Sequence, residues 1–353
     1  MKLACDLSVT SARHHAPAPS WRAPWASPLS GTAPGLVLDF AADAYGTGNS
    51  AGSFASVVSF TRASDATRTD PAGALQVVGP DVARFDHDPV GLGRQGLLLE
   101  GARTNLFVQS AAPADQTITV NAVTHVLSFY GTGTVTLSGV HSATVSGAGT
   151  YPVRTELTFV PTAGDLTVSL AGQVQFPQLE EGDASSSHVP TGAAATARAE
   201  DVATVPLGSW FDPGQGTLVF SGWLIGAAAN DRIIEIDSGV TSDRLSILWN
   251  SSLGKPQFQV WESGAVQAAV APGGASVGFG APFRVAVGYA ANDFAISLNG
   301  SDAVTDSTGL LPSGLTTLRL GRSVWGAQGL MLAESVVCYP VRLSDAELKA
   351  LSA

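Results

Sequence analysis

The sequence predicts an all-β protein: two β-sandwich modules after an extended N-terminal arm and a small β-rich connecting module. Three observations carry this. Gly (39) and Pro (20) together make up about a sixth of the 353 residues, well above average usage. Charged residues are 13% of the chain while hydrophobic ones reach 45%, so a real core is covered by Ser, Thr, Gly and Asn rather than by Lys and Glu. Short apolar runs alternate with turn-forming clusters along most of the length. A helical bundle needs Glu, Lys and Leu in quantity and is excluded.

Residues 1–35 form the arm. The stretch 11–35 is rich in Pro, Ala and Ser, has no helical or strand period, and reads as extended and polyproline-like. Trp21 and Trp25 sit in it and are costly to leave in water, which points to docking on a neighbouring surface. Residues 36–110 carry the short strand candidates LVLDF (36–40), VVSF (57–60), ALQVV (74–78) and GLLLE (96–100). Asp70-Pro71-Ala72-Gly73 between two of them has the makings of a type I turn.

Residues 111–190 alternate more clearly. Thr134-Val135-Thr136-Leu137 and Leu166-Thr167-Val168-Ser169-Leu170 put Val or Leu on one face and Thr or Ser on the other, as in a small antiparallel sandwich. The polar, Pro-containing stretch 183–200 reads as a linker.

Residues 201–353 hold five of the seven tryptophans and eight strand candidates: 217–225, 232–237, 244–250, 256–262, 283–289, 293–299, 317–321 and 330–339. Phe283, Val285, Val287 and Tyr289 share one face of their strand, as do Phe294, Ile296 and Leu298 of the next. The short link Ala290-Ala291-Asn292 makes a hairpin of the two. Eight strands in this length match a jelly-roll sandwich. The last element is a helix. Ser344-Asp345-Ala346-Glu347 is a capping box, and Leu343 and Leu348 have the spacing of a hydrophobic staple.

The net charge of −11 is spread unevenly: +2 over 1–35, −8 over 36–200 and −5 over 201–353. No basic patch is visible, which argues against nucleic acid and against an anionic membrane. No 18-residue apolar run occurs, and no apolar stretch precedes Cys5 to make a lipoprotein leader of Met1–Cys5. Synthesis in a cytoplasm is expected. Cys5 and Cys338 lie near opposite ends, and two free thiols are expected rather than a bridge.

Chemistry-bearing patterns are few. Glu235-Ile236-Asp237 places two carboxylates on one strand face, within the separation that retaining glycosidases use. The Glu-x-Asp-x-x-Glu or Glu-x-Asp-x-Glu pattern of laminarinase-type enzymes is broken by Ser238-Gly239-Val240, and the pair reads as solvent-facing strand residues. Asp86-His87-Asp88-Pro89 has hard-cation ligand types but reads better as a turn whose carboxylates accept backbone amides. Zinc spacing and a phosphate loop are absent. The chain is expected not to be an enzyme.

Binding features are better developed. In PQFQVWE, Phe258 and Val260 take one face, and Gln257, Gln259 and Trp261 take the other. Rings flanked by amides and carboxylates suit sugars, whose C–H faces stack on aromatics and whose hydroxyls need polar partners. The candidate glycan-binding residues are Trp261, Gln259, Glu262, Asn230, Asp231, Asn250 and Trp325. A subunit contact or plain packing would account for Trp261 equally well. Trp249, in phase with Leu245 and Ile247, is assigned to the core.

Residues 60–109 resemble a module common in tailed-phage and prophage structural proteins. The resemblance is carried by Phe60–Ser64 (FTRAS), Arg84–Pro89 (RFDHDP) and Glu100–Asn105 (EGARTN), with Gly101 where a second Glu is common. The segments 132–139, 156–172 and 178–203 resemble the carbohydrate-binding-type sandwich that follows in such proteins. GYAANDFAISLNG, LRLGRS and YPVRLSDAELKAL resemble pieces of a concanavalin-A-like, laminin-G-like jelly roll. The resemblance implies a tail fibre, a head spike or a related surface component of a phage or gene transfer agent particle. It implies attachment to other virion proteins through the arm (Trp21, Trp25), binding of host surface polysaccharide, and a homo-oligomer, taken as a trimer. It supplies no catalytic residues. Calcium is often carried by jelly rolls of this type, but no ligand set stands out. A ligand-free structural connector and a polysaccharide-degrading hydrolase are the alternatives.

Overall fold

A computed structural model describes residues 30–326 and 328–353, and in it the chain is all-β with antiparallel sheets throughout. The Gly- and Pro-punctuated sequence is cut into 28 short strands among the described residues. The expectations for the arm, including Trp21 and Trp25, fall outside the described residues.

Two large sheets pack face to face. The first runs, in spatial order, Val304–Asp306, Asp293–Leu298, Phe283–Ala290, Gln215–Gly226, Leu330–Tyr339, Leu36–Asp39, Ala44–Thr47 and Ser50–Gly52. The long strand Leu330–Tyr339 also takes Arg94–Glu100 along its first half, and Arg84–His87 pairs with that strand in turn. Gly96 (φ +150°) permits this join, because a Cβ there would lie 2.1 Å from the Ala333 carbonyl oxygen. The second sheet runs Ala265–Val270, Lys255–Glu262, Arg244–Asn250, Arg232–Asp237, Thr317–Leu320, Val202–Pro206 and Ser59–Thr61.

The alternating side chains meet between these sheets. Phe283, Val285, Val287, Tyr289, Phe294, Ile296 and Leu298 come from one, and Ile234, Ile236, Ile247, Trp249, Phe258 and Val260 from the other. Each such side chain, fully buried, contributes roughly 1.5–3 kcal/mol. The hairpin 283–298 has the expected register, Ala290 opposite Asp293, with Asn292 at φ +57° completing the turn. On the outer face of the first sheet the small residues Ala286 and Ala295 let the helix Asp345–Leu351 sit close, with Leu343, Leu348 and Leu351 against them. The capping box is formed: Ser344 N donates to Glu347 Oε2 at 2.9 Å, and Glu347 N donates to Ser344 Oγ at 3.4 Å.

The middle of the chain forms its own pair of sheets. The three-stranded sheet is Thr155–Phe159, His125–Tyr130 and Gln175–Glu181. The four-stranded one is Gln116–Val120, Gly164–Ala171, Thr134–Gly139 and Ala143–Ser146. Val135, Leu137, Leu166 and Val168 point inward onto Leu127, Phe129 and Leu179.

Two sequence expectations are corrected. The 36–110 stretch is not a separate layer. Its strands Leu36–Asp39, Ala44–Thr47, Ser50–Gly52, Arg84–His87 and Arg94–Glu100 extend the first large sheet, and Ser59–Thr61 extends the second. Nor is 183–200 a solvated linker. Ser185, Ser186, His188 and Thr191 are buried, and Thr196–Arg198 pairs with Arg103–Asn105. Its hydroxyls and amides fill hydrogen-bonding needs of buried carboxylates, which small polar residues meet without bulk.

Candidate functional site

The outer face of the second large sheet is polar, as the strand alternation requires. Arg244, Ser246 and Asn250 lie on it, as do Gln257, Gln259 and Trp261 of the neighbouring strand, with Arg244 opposite Trp261 and Ser246 opposite Gln259. The Arg244 guanidinium carbon is 4.1 Å from the Trp261 ring centre and 5.0 Å from that of Trp325. Arg232 is 4.9 Å from Trp325. Trp325 is 48% exposed. Thr241, Ser242, Arg244, Trp261, Gly264 and Trp325 line an open hollow at this end of the sheet.

A chain of amides runs away from the hollow. Trp261 Nε1 donates to Gln259 Oε1 at 3.3 Å, Gln259 Nε2 to Gln257 Oε1 at 3.2 Å, and Asn250 Nδ2 to the same oxygen at 3.1 Å. Beneath the rings, Glu235 is buried and accepts from Arg232 Nε at 2.8 Å, Ser246 Oγ at 3.2 Å and Val324 N at 2.8 Å. Arg244 Nε lies 3.9 Å from it. Burial holds the Arg244 guanidinium below its ordinary value, and Glu235 opposes this. A cation over a ring face is attracted to it, so arginines hold both tryptophans at the sheet surface.

Four of the seven candidate residues, Trp261, Gln259, Asn250 and Trp325, thus lie on one face. Glu262 does not join them. Strand alternation turns it to the opposite side, where Ser263 Oγ donates to it at 2.7 Å. Asn230 is an exposed turn residue at φ +68° whose carbonyl accepts from Arg232. Asp231 lines a different hollow with Arg103 and Asp183, its carboxylate accepting from Ala228 N at 2.7 Å. Arg244 and Arg232 escape the sequence reading, although Arg244 is in phase with Ser246 and Asn250.

Glu235 and Asp237 are not solvent-facing. Both are buried, and Asp237 pairs with Arg319 at 2.6 Å. Charged strand residues can be covered when arginines on neighbouring strands lie across them. Asp86 and His87 end the strand Arg84–His87, so the turn expected of Asp86-His87-Asp88 begins only at Asp88: Asp88 accepts from Val90 N (2.8 Å) and Gly91 N (2.9 Å), and Asp86 from Thr69 N (2.5 Å). Among the described residues no group of three or more His, Cys, Asp or Glu is placed to hold a metal ion. Cys338 is buried and free, its thiol pushed up by burial. Gly48-Asn49-Ser50-Ala51-Gly52 has the spacing of a nucleophile elbow. Ser50, however, opens an exposed edge strand instead of the turn between strand and helix. Among the described residues no helix is long and apolar enough to cross a membrane.

The sequence blocks of 60–105 and 178–203 converge on a buried ionic cluster. Glu100 pairs with Arg84 and Arg198, each at 2.5 Å, and accepts from Ser187 N (2.7 Å) and Oγ (2.6 Å). Asp201 takes Arg62 at 3.1 Å, a short bond from Arg84, and Glu100 N at 2.9 Å. All five charged side chains are at most 1% exposed. Asn105 is satisfied from both ends, accepting from Phe107 N and Leu179 N and donating to Val189 O. The planar fork of Arg reaches two carboxylates at once, which Lys cannot do. These residues tie the middle sandwich to the large one. The five charged side chains are buried, and Glu100 with Ser187 backs a cavity at this junction.

No family model matches the chain, and no curated protein sequence matches it. Among solved structures, the CBM40 domain of the Ruminococcus gnavus IT-sialidase bound to α2,3-sialyllactose is similar over 40% of this chain and 83% of that one, at 20% identity and a TM-score of 0.34. The NanB sialidase from Streptococcus pneumoniae is similar over 42% of this chain and 26% of its own, at 10% identity and a TM-score of 0.35. Trypanosoma rangeli sialidase is similar over 42% and 25%, at 12% identity and a TM-score of 0.35. The chain thus spans about a quarter of the length of the sialidases it resembles.

Proposed function

We propose that the Trp261–Arg244–Trp325 face is a glycan-binding platform, and that the protein displays it on the surface of a phage-like particle for adsorption to host polysaccharide. The observation that carries the reading is the pairing of two arginine-backed, partly exposed indole rings with a row of amides. A sugar ring presents a C–H face and a rim of hydroxyls, and this surface offers a partner for each. A tryptophan serving only the core would lie inward, as Trp249 does at 4% exposure.

In this reading the protein binds and does not cleave. Glu235 and Asp237 are both buried and committed to arginines, so neither is available as an acid or a nucleophile. The particle setting rests on the resemblance of the 60–105 block. The arm with Trp21 and Trp25 would attach to other virion proteins, and a trimer would multiply weak contacts through effective concentration. Neither nucleic acid nor membrane insertion is part of the reading.

The experiment is binding of the purified full chain to capsular and surface polysaccharides of candidate hosts, with Trp261→Ala as control. Saturable binding weakened at least tenfold by the substitution supports the reading. Absence of binding to every envelope glycan contradicts it and favours a ligand-free connector.

A further inference from the structure

A cavity of about 220 Å³ lies where the middle sandwich meets the large one, and it shares no residue with the tryptophan face. Its walls come from the hairpin Ala66–Thr69/Leu75–Val78, the strand Arg84–His87, the loop after Gly149 and the segment 185–188. Junctions of this kind are where ligand pockets concentrate.

The lining is mixed in a specific way. Tyr130 and Tyr151 meet edge to face at 5.3 Å, and the Tyr151 hydroxyl is 2.9 Å from Thr69 Oγ1. Arg154 donates to Ser186 O at 2.6 Å and to Ser128 Oγ at 2.7 Å, so its charge is anchored in the wall. His188 is 3% exposed. Its Nε2 lies 3.4 Å from Ser110 Oγ, and its Nδ1 has no partner in the protein. Burial, reinforced by Arg154, lowers His188 to about 4, so the ring is neutral. Burial raises Asp86 to about 6 against the opposing bond from Thr69, so its carboxyl can donate or accept near neutral pH.

These groups select a ligand class. Two arginines, Arg68 and Arg154, and two carboxyls, Asp86 and Glu100, line it, so opposite charges balance and a neutral molecule is favoured. Two phenol rings with Leu75 and Pro89 ask for C–H surface, and the unpartnered His188 Nδ1 suits a hydroxyl, which can donate or accept as the ring's tautomer requires. An apolar cavity of about 150 Å³ holds a benzene ring, so this one holds a single substituted ring. We propose that the cavity is a second binding site, for a neutral hydroxylated ring the size of one monosaccharide, free or as the end of a chain.

The test is calorimetric titration of the full chain with glucose, galactose, mannose and N-acetylglucosamine, and with neutral oligosaccharides ending in each. The expected result is saturable binding of at least one sugar. It should weaken at least tenfold in Leu75→Trp, which fills the cavity, and measurably in Tyr151→Phe, which removes one hydroxyl and keeps the ring. It should stay unchanged in Trp261→Ala. An oligosaccharide that binds tighter than its free terminal sugar assigns the site to chain ends, and equal binding assigns it to free sugar. Both outcomes support the site. Failure of all these sugars to bind overturns the proposal. Binding that survives Leu75→Trp in a protein with unaltered melting also overturns it. Loss in Trp261→Ala would place the sugar on the tryptophan face instead, and leaves the platform reading standing.

Discussion

Arg244 lies between two indoles, 4.1 Å from the ring centre of Trp261 and 5.0 Å from that of Trp325, with the buried Glu235 carboxylate 3.9 Å from its Nε. The arginine therefore holds both rings at the surface and helps balance a carboxylate beneath them. Arg244→Ala is expected to weaken polysaccharide binding about as much as Trp261→Ala. It should also cost about 1–2 kcal/mol of stability through the lost cation–ring contacts. Trp261→Ala, at a half-buried position, should cost less stability. Denaturation and binding measured on the two variants check the contrast.

Glu100 joins Arg84, Arg198 and Ser187 across the junction of the two sandwiches. Glu100→Gln keeps the shape and leaves two buried guanidiniums short of countercharge. A loss of about 3–5 kcal/mol is expected, the range for breaking one side of a buried pair. It should appear as a lower denaturant midpoint in urea.

Acid should act on the same cluster. The two arginines and the Ser187 bonds hold Glu100 down at about 2, against 4.5 unperturbed. A depressed carboxyl contributes stability that is fully present above 4.5 and is lost as pH falls through 2. Neutral His188, lowered from 6.5 to about 4, loses its contribution between those values. Asp86, raised from 3.8 to about 6, acts oppositely and gains stability over nearly the same interval. Melting temperature should thus change little between pH 6.5 and 4.5 on account of these three groups, then fall toward pH 2. The fall below pH 4.5 should be shallower in Glu100→Gln.

Ser344→Ala removes the hydroxyl that accepts from Glu347 N at the start of the last helix. A loss of about 1 kcal/mol is expected. It should be seen in thermal unfolding and leave glycan binding unchanged.

The period-2 pattern of 283–298 was enough to place both strands and their hairpin, because large apolar residues alternate with small or polar ones in each strand and only two residues join them. The strand Leu36–Asp39 was recognisable as a strand, but not as a neighbour of Val336–Cys338. A pairing across three hundred residues leaves no local trace. Leu36, Val37 and Leu38 are all buried, so no alternation marks a face. The tryptophan platform was partly legible, since Trp261 and Gln259 share parity in one strand. Arg244 was not, because a lone arginine on a strand does not announce which ring of another segment it meets. The ionic cluster was visible only as repeated Arg, Glu and Asp in the 60–105 and 178–203 blocks. Its burial depends on three segments closing over it. Asp231 was misplaced for a related reason: a turn residue's direction is set by the loop, not by strand parity.

The central claim is that Trp261 and Trp325 meet the glycan. Indole N–H resonances of the ¹⁵N-labelled full chain, assigned by Trp→Phe variants, test it most directly during titration with a polysaccharide that the protein retains. The Trp261 and Trp325 signals should shift saturably while those of the buried Trp210 and Trp249 stay in place. Saturable binding that leaves the Trp261 and Trp325 signals unmoved would contradict the account.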